Sequence, residues 1–465
     1  MKTGSINHYF STEAQHLLES LTSAPQCPRD PFLVEGLTFE QLYDLMEIIR
    51  IQCLRGLDSS APICLCAENR AHVTAAMLAT LRQGPPLLLP HAFTRETLAE
   101  GWQSMRYPHA LIEKAYELPE CVKALPWPQA PGPSTRMVAS AAIEWDTPWL
   151  YLFTGGSTGT PRIWSKTPRN LLMEALNIKR TFDISPRDVI LATVPPNHIY
   201  GLLYSILLPL VSGASVSTLT PSFPLEIAQS LEKTQATVLV SIPAHYRALK
   251  QIPGIRHRVR IAFSSAGALM ENDSLDFHKN TGIAITEIYG STETGGIAQR
   301  TRPHGQTGFH PFDCASVQIN NEHLGVCSDF LSRELDRNEA GYFETADRAA
   351  WEKDSSGFAI LGRSDGIVKV GGKRVDLAMT RETLMAVQGV RDVYVFSLPV
   401  QTGRENEIVA LVEGQVEAEQ VIQTANSHLP PYARPRVVKV THQIPISSTG
   451  KYNRDAINRL FKPEA

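Results

Sequence analysis

The sequence predicts an α/β fold, in which a large layered N-terminal domain precedes a small α+β C-terminal domain. Three observations lead there. Short apolar runs alternate with stretches of helical periodicity over most of the chain. Loops rich in glycine and hydroxyl residues follow several of those runs. Beyond Gly362 the units become shorter and more closely spaced, as in a separate domain.

Taken in order, Phe39 to Leu54 has helical periodicity, and Ala61 to Cys66 and Pro86 to Leu89 read as strands. Leu125 to Ser134 (LPWPQAPGPS) holds too many prolines for a regular element and is expected to be an extended surface connection. From Trp149, WLYLFT reads as a buried strand, GGSTGTP as a loop and Arg169 to Arg180 as a helix, and Pro161 is well placed to begin a helix. Strand, loop, helix is an anion-binding order. Further strands are expected at Val189 to Val194, Thr237 to Ile242, Val259 to Ser264 and Ile283 to Tyr289, and function should lie in the loops at their carboxyl ends. The small domain reads as strands at Val390 to Ser397 and Ile408 to Glu413, a helix near Glu417 to Leu429, a strand at Val437 to His442 and a helix from Asn453.

Composition removes some function classes. The 465 residues are 43% hydrophobic and 20% charged, enough for more than one core. With 44 Lys and Arg against 47 Asp and Glu, the net charge of -3 offers no basic field for a nucleic-acid partner. The seven cysteines lack CxxC spacing and are expected to be reduced, mostly buried thiols. Met1 to Gln15 has no signal-peptide pattern, and Gly201 to Val211 is too short, and interrupted by Pro209, for a transmembrane segment. These features predict a soluble cytoplasmic protein.

Several segments carry chemistry. Thr154 to Arg162 (TGGSTGTPR) sets three glycines and several hydroxyls after a strand, where backbone N–H groups can cradle phosphate oxygens. It is not a Walker A loop, and the alternative for the segment alone is a flexible surface loop. Tyr289-Gly290-Ser291-Thr292-Glu293 closes a strand, where a ring can lie against a base and a carboxylate can meet a hard cation. By itself Glu293 is only a solvated acid. Small residues line Ser265-Ala266-Gly267-Ala268. Tyr342 to Asp347 (YFETAD), Gly362-Arg363-Ser364-Asp365, the stretch Lys369 to Lys373 and Pro445 to Arg454 (PISSTGKYNR) complete the set. By itself, Lys451 is an ordinary exposed lysine.

In this order the segments resemble the motifs of the adenylate-forming superfamily, which includes acyl-CoA and aryl-CoA synthetases, peptide-synthetase adenylation domains and luciferases. The first is similar to T-S-G-S/T-T-G-x-P-K, the second to Y-G-x-T-E, the third to Y-x-x-T-G-D and the last to P-x-x-x-x-G-K. The resemblance implies an acid–thiol ligase that uses ATP and Mg²⁺ to make an acyl-AMP. It implies a phosphate loop at Thr154, Gly156, Ser157, Thr158, Gly159 and Arg162, an adenine site at Ala266, Gly267, Ala268, Tyr289 and Gly290, and a phosphate contact at Thr292. It gives Glu293 to magnesium, Asp347 with Arg363 to the ribose, and Lys451 to the developing charge at the carboxylate and α-phosphate. It further implies an ATP- and acid-binding domain over residues 1–363 and a mobile lid over 364–465, hinged at Asp365. That lid would present Lys369, Gly371 and Gly372 for the thiol step.

Gly155, Arg162 and Ala346 depart from the family pattern. Arg keeps a charge with a planar fork instead of a point, and Ala346 stands where glycine is usual. The substrate loop, Pro195 to Gly201, lacks the carboxylate that would pair with an amino acid's ammonium, so an aryl or apolar acid is expected. His198 and Tyr200 would line its pocket, with His245, Ala266 and Gly267 opposite; a purely structural His245 reads equally well. The resemblance implies a phosphopantetheine thiol, of CoA or acyl carrier protein, as acceptor. The compact N-terminal third resembles ligases of aryl-polyene and xanthomonadin pathways that load 4-hydroxybenzoate-like acids onto carrier protein. The alternative is a nucleotide-binding protein that has lost catalysis and serves regulation or assembly.

Overall fold

A computed structural model describes residues 12, 13, 15–17, 20, 21, 24, 25, 27–81, 84–128, 143–154, 162–250, 252, 255, 257–267, 269–353, 356–363, 366–399, 406–445 and 454–461. The chain divides into two compact units, the change falling between Leu361 and Gly362.

The first unit is built on two sheets. One has six strands in the order Lys123–Pro126, His109–Ile112, Ile63–Cys66, Leu87–Leu89, Leu150–Thr154, Arg162–Lys166, parallel except for the last pair. The other has seven, in the order His310–Pro311, Gly295–Arg300, Ile285–Ser291, Ile261–Ser264, Val238–Ser241, Val189–Ala192, Ser215–Val216, with the last five parallel.

Strand faces divide the core. Ile63 and Leu65 point into the central apolar cluster, while Cys64 and Cys66 point into another on the far side. Val238 and Val240 share the central cluster, and Leu239 faces outward to a third. This is the two-sided burial that parallel strands require. The central cluster is filled by helix Arg70–Leu81, helix Pro168–Thr181 and the buried helical stretch Ile199–Ser212. That last stretch is the apolar Gly201 to Val211 segment, packed inside protein. No helix among the described residues is long and apolar enough to cross a membrane. An antiparallel sheet in the order Ala315–Asn320, His323–Ser328, Phe343–Trp351, Phe358–Arg363 completes this unit.

The second unit has a two-stranded hairpin, Ile367–Val370 with Lys373–Asp376, and a sheet in the order Val390–Pro399, Asn406–Gly414, Val437–Thr441. Helices Leu377–Met385 and Ala418–His428 bring Leu384, Val421 and Ala425 into its core. The α/β class read from the sequence is therefore what the chain adopts.

Two local expectations are corrected. The helix expected at Arg169 to Arg180 is found at Pro168–Thr181, but a strand, Arg162–Lys166, follows Pro161 in place of a helix start and pairs antiparallel with Leu150–Thr154. Ile163 and Trp164 favour a strand and oppose Phe153 and Leu152. The helix starts only at Pro168, where Thr167 caps it by accepting from the Asn170 N–H. Second, Leu125 and Pro126 are not connection but the end of an edge strand, where a proline's missing donor is tolerated.

Candidate active site

The carboxyl ends of the parallel strands in the seven-stranded sheet bring several polar residues together. At the end of Val238–Ser241, the Ser241 hydroxyl lies 2.8 Å from that of Thr193, on the neighbouring strand end. The Nδ1 of His245 stands 2.9 Å from the Thr193 hydroxyl and 3.3 Å from Ser241. Burial holds the His245 ring below the ordinary histidine range, so its neutral form is favoured. Tyr200 is buried and its hydroxyl donates to the Ser241 carbonyl at 3.2 Å. That proton is therefore already used, and Tyr200 can offer a ring wall. His198 precedes helix Ile199–Leu202 and its side chain is exposed. Gly201 is required here because an added Cβ would run into the Pro195 carbonyl.

One strand further, Ser265 donates to the Ile288 carbonyl at 2.9 Å, tying its loop to strand Ile285–Ser291. Ala266 follows with φ +68, a left-handed conformation that L residues rarely adopt, so strain is stored where backbone must turn away from the strand end. Gly267 is half-buried beside it. Tyr289 lies near the end of the next strand, its ring 5.4 Å from Phe309 and 6.1 Å from Phe358. Its hydroxyl donates to Asp347 Oδ2 at 2.5 Å, joining residues 58 positions apart. Asp347 lies in strand Phe343–Trp351, its own N–H bonded to the Thr345 hydroxyl. Ala346 in that extended strand has no positive φ, so the absent glycine costs nothing there.

Thr292 and Glu293 occupy the turn between Ile285–Ser291 and Gly295–Arg300. Ser291 and Thr294 close it reciprocally: each N–H donates to the other's hydroxyl at 3.2 Å. Gly290 is needed at its base, since a Cβ would strike the Gly295 carbonyl. Beneath the turn lie residues that no motif marked. Lys166, fully buried, donates to the carbonyls of Phe330 at 2.8 Å and Glu293 at 3.3 Å. Glu174, also buried, accepts from the Gly296 N–H at 2.6 Å. Burial lowers the Lys166 ammonium and raises the Glu174 carboxyl, each moderated by the other's charge. Sequence reading missed both; the one signal for Glu174 is an acid on the apolar helical face of Leu171, Ala175 and Ile178, and Lys166, inside a short strand, gives none.

A magnesium ion needs few protein ligands when substrate phosphates supply the rest. No group of three His, Cys, Asp or Glu among the described residues forms a cage. The half-buried Glu293 carboxylate beside Thr292 suits that single-carboxylate mode.

Thr154 and Arg162 pair across the antiparallel strands at the mouth of the glycine-rich segment. Gly156, Ser157, Thr158, Gly159, Ala268, Asp365 and Lys451 lie outside the described residues, as do the side chains of Thr154 and Arg363. In the second unit, Gly371 and Gly372 turn the Ile367–Asp376 hairpin with φ +56 and +77. The Lys369 carbonyl there accepts from Asn406 Nδ2 at 3.1 Å.

The family model of AMP-binding enzymes matches residues 22–330, and that of the AMP-binding enzyme C-terminal domain matches 382–451. A 4-coumarate–CoA ligase of Cereibacter sphaeroides is 31% identical over 310 residues, 64% of this chain and 68% of that one. A 3,4-dihydroxybenzoate–[aryl-carrier protein] ligase of Bacillus anthracis is 25% identical over 327 residues, 66% of this chain and 73% of the relative. In fold, the chain is similar to the o-succinylbenzoate CoA synthetase of Bacillus subtilis, with a TM-score of 0.77 at 16% identity over 95% of this chain and 98% of that one. The strand-end site, with Tyr289 bound to Asp347 above the turn of Thr292 and Glu293, thus sits in a chain that belongs to the AMP-binding enzymes, the adenylate-forming family of acid–thiol ligases.

Proposed function

We propose that this chain adenylates a hydroxylated aryl acid with ATP and passes the acyl group to a phosphopantetheine thiol. The observation that carries the nucleotide half is the Tyr289–Asp347 hydrogen bond at 2.5 Å. It fixes a carboxylate acceptor for two ribose hydroxyls next to an aromatic ring suited to adenine. Glu293 and Thr292 would hold magnesium and phosphate; the ion, when bound, neutralises the phosphate charge. Arg162, Arg363 and the glycine-rich loop complete the nucleotide contacts in this reading. Lys451 brings the positive charge to the carboxylate as it attacks the α-phosphorus and pyrophosphate leaves.

For the acid, support comes from the strand ends of Thr193, Ser241 and His245, which offer hydroxyls and a neutral imidazole but no carboxylate to pair with an ammonium. The Cereibacter and Bacillus relatives are named for hydroxylated aryl acids. They are also named for different thiols, CoA and a carrier protein, whose shared phosphopantetheine is the common element. Within that class a 4-hydroxybenzoate-like acid delivered to carrier protein is the specific form we infer, with residues 364–465 as the lid. The reading as a nucleotide binder without catalysis loses one of its supports, because Ala346 sits unstrained in a strand.

The test is acid-dependent ATP–pyrophosphate exchange over hydroxybenzoates, cinnamates, fatty acids and amino acids, followed by thioester formation with CoA or with holo carrier protein. Exchange is expected with hydroxylated aryl acids first. Silence across the panel with retained ATP binding would establish the non-catalytic reading instead.

A further inference from the structure

The turn carrying Thr292 and Glu293 is held from below by groups that do not face the strand-end site. Lys166 is 0% exposed, yet its ammonium is directed at backbone, to the carbonyls of Phe330 and Glu293. A lysine so deep is costly, and an unbranched apolar side chain would fill the same space without that penalty. What the charge adds is a bridge between two chain segments. The Glu293 carbonyl also accepts from the Ser332 N–H at 2.9 Å, so it is held on two sides. Three residues on, Glu174 takes the Gly296 N–H. Gly295, at φ +69, passes so close that a Cβ there would lie 2.6 Å from Phe330 Cβ and 2.7 Å from Glu174 Oε2. With Ser291 and Thr294 closing the turn, its backbone is fixed at each end and at Glu293 itself.

We propose that Lys166 and Glu174 are positioning residues that clamp the Ser291–Gly296 turn, and so set how tightly the protein takes magnesium with ATP. This rests on the reading of Glu293 as the magnesium carboxylate. Neither residue touches nucleotide or acid; both act through the backbone that aims Thr292 and Glu293. Outer partners of metal-binding groups commonly govern affinity in this way.

The experiment compares Lys166→Met, Glu174→Ala and Glu174→Gln with the unaltered protein, using two readouts. The first is amide hydrogen exchange across residues 289–296 in ligand-free protein. The second is the Mg²⁺ concentration that half-saturates pyrophosphate exchange at fixed ATP, set against the KM for the acid. Lys166→Met and Glu174→Ala should speed exchange in the turn and raise the Mg²⁺ requirement on the order of tenfold or more, with the acid KM unchanged. Glu174→Gln keeps an acceptor for the Gly296 N–H and should restore both readouts towards the original. A folded Lys166→Met with unaltered exchange and Mg²⁺ requirement overturns the proposal. Should that variant not fold, Glu174→Ala against Glu174→Gln decides on the same readouts. If the unaltered protein gives no pyrophosphate exchange, the adenylation reading fails, while amide exchange still judges the clamp.

Discussion

Tyr289 does two jobs with one side chain: its ring packs among Phe309 and Phe358, and its hydroxyl holds Asp347. Tyr289→Phe keeps the ring and removes only the donor. A hydrogen bond to a charged acceptor is worth about 1.5–3 kcal/mol, so the KM for ATP should rise roughly tenfold to a hundredfold while the acid KM holds. Initial rates against each substrate check this; an unchanged ATP KM would mean Asp347 needs no such anchor. His245 gives a different kind of prediction. Burial lowers its pKa in the folded chain below the ordinary 6.5, so the unfolded chain takes up the proton first as pH falls. Its contribution is present in full above 6.5 and is lost as pH drops from there through the lower folded value. His245→Gln retains a partner for the Thr193 hydroxyl but has no proton to gain. Urea midpoints at neutral and mildly acidic pH should therefore differ less in the variant than in the parent.

At the scale of elements, one side chain ties the two large sheets together. Arg70 opens helix Arg70–Leu81 beside the six-stranded sheet and is fully buried. Its guanidinium donates to the carbonyls of Ala192 and Val194, at the end of one strand of the other sheet, and of Ser217, Thr218 and Leu219, just past the end of the next. Arg70→Met would leave several buried carbonyls without donors, a loss of about 3 kcal/mol or more. Denaturant titration reads that loss, and a raised acid KM with unchanged ATP KM in the folded fraction would show that the Thr193 to Gly201 loop has shifted. Nothing in the sequence around Asn69-Arg70-Ala71 announced this, because the partners are backbone groups more than a hundred residues away. Elements themselves were more legible. Alternating apolar runs marked the strands at Val189, Val238, Ile261 and Ile285 to within a few residues, since burial on both faces leaves little choice of residue type. The short strand Arg162–Lys166 escaped because five residues next to prolines and glycines carry too little periodicity. In the site, the motif residues on strand ends could be read from order and composition. The clamp of Lys166 and Glu174 could not, since its acceptors and donors are peptide groups.

At the scale of the whole molecule, the two units divide what the proposed reaction requires. The first unit holds Tyr289, Asp347, Thr292 and Glu293, all on or beside its sheets. The second carries the Gly371–Gly372 hairpin, and Lys451 follows its last described strand in sequence. In the proposed reaction Lys451 serves adenylation and not the thiol step, which makes the two half-reactions separable by mutation. Adenylation builds negative charge between the acid and the α-phosphate, where a placed ammonium stabilises the transition state; thiol attack on a finished acyl-adenylate does not pass through that charge distribution. Lys451→Ala should therefore slow acid-dependent pyrophosphate exchange on the order of a hundredfold or more. Thioester formation from chemically prepared acyl-adenylate should stay within about threefold of the parent, an effect under 1 kcal/mol. Measuring both half-reactions on the same preparation distinguishes this from a damaged protein, which would lose the two together. Equal loss in both would assign Lys451 to the fold of the second unit and move the search for the adenylation charge to Arg162.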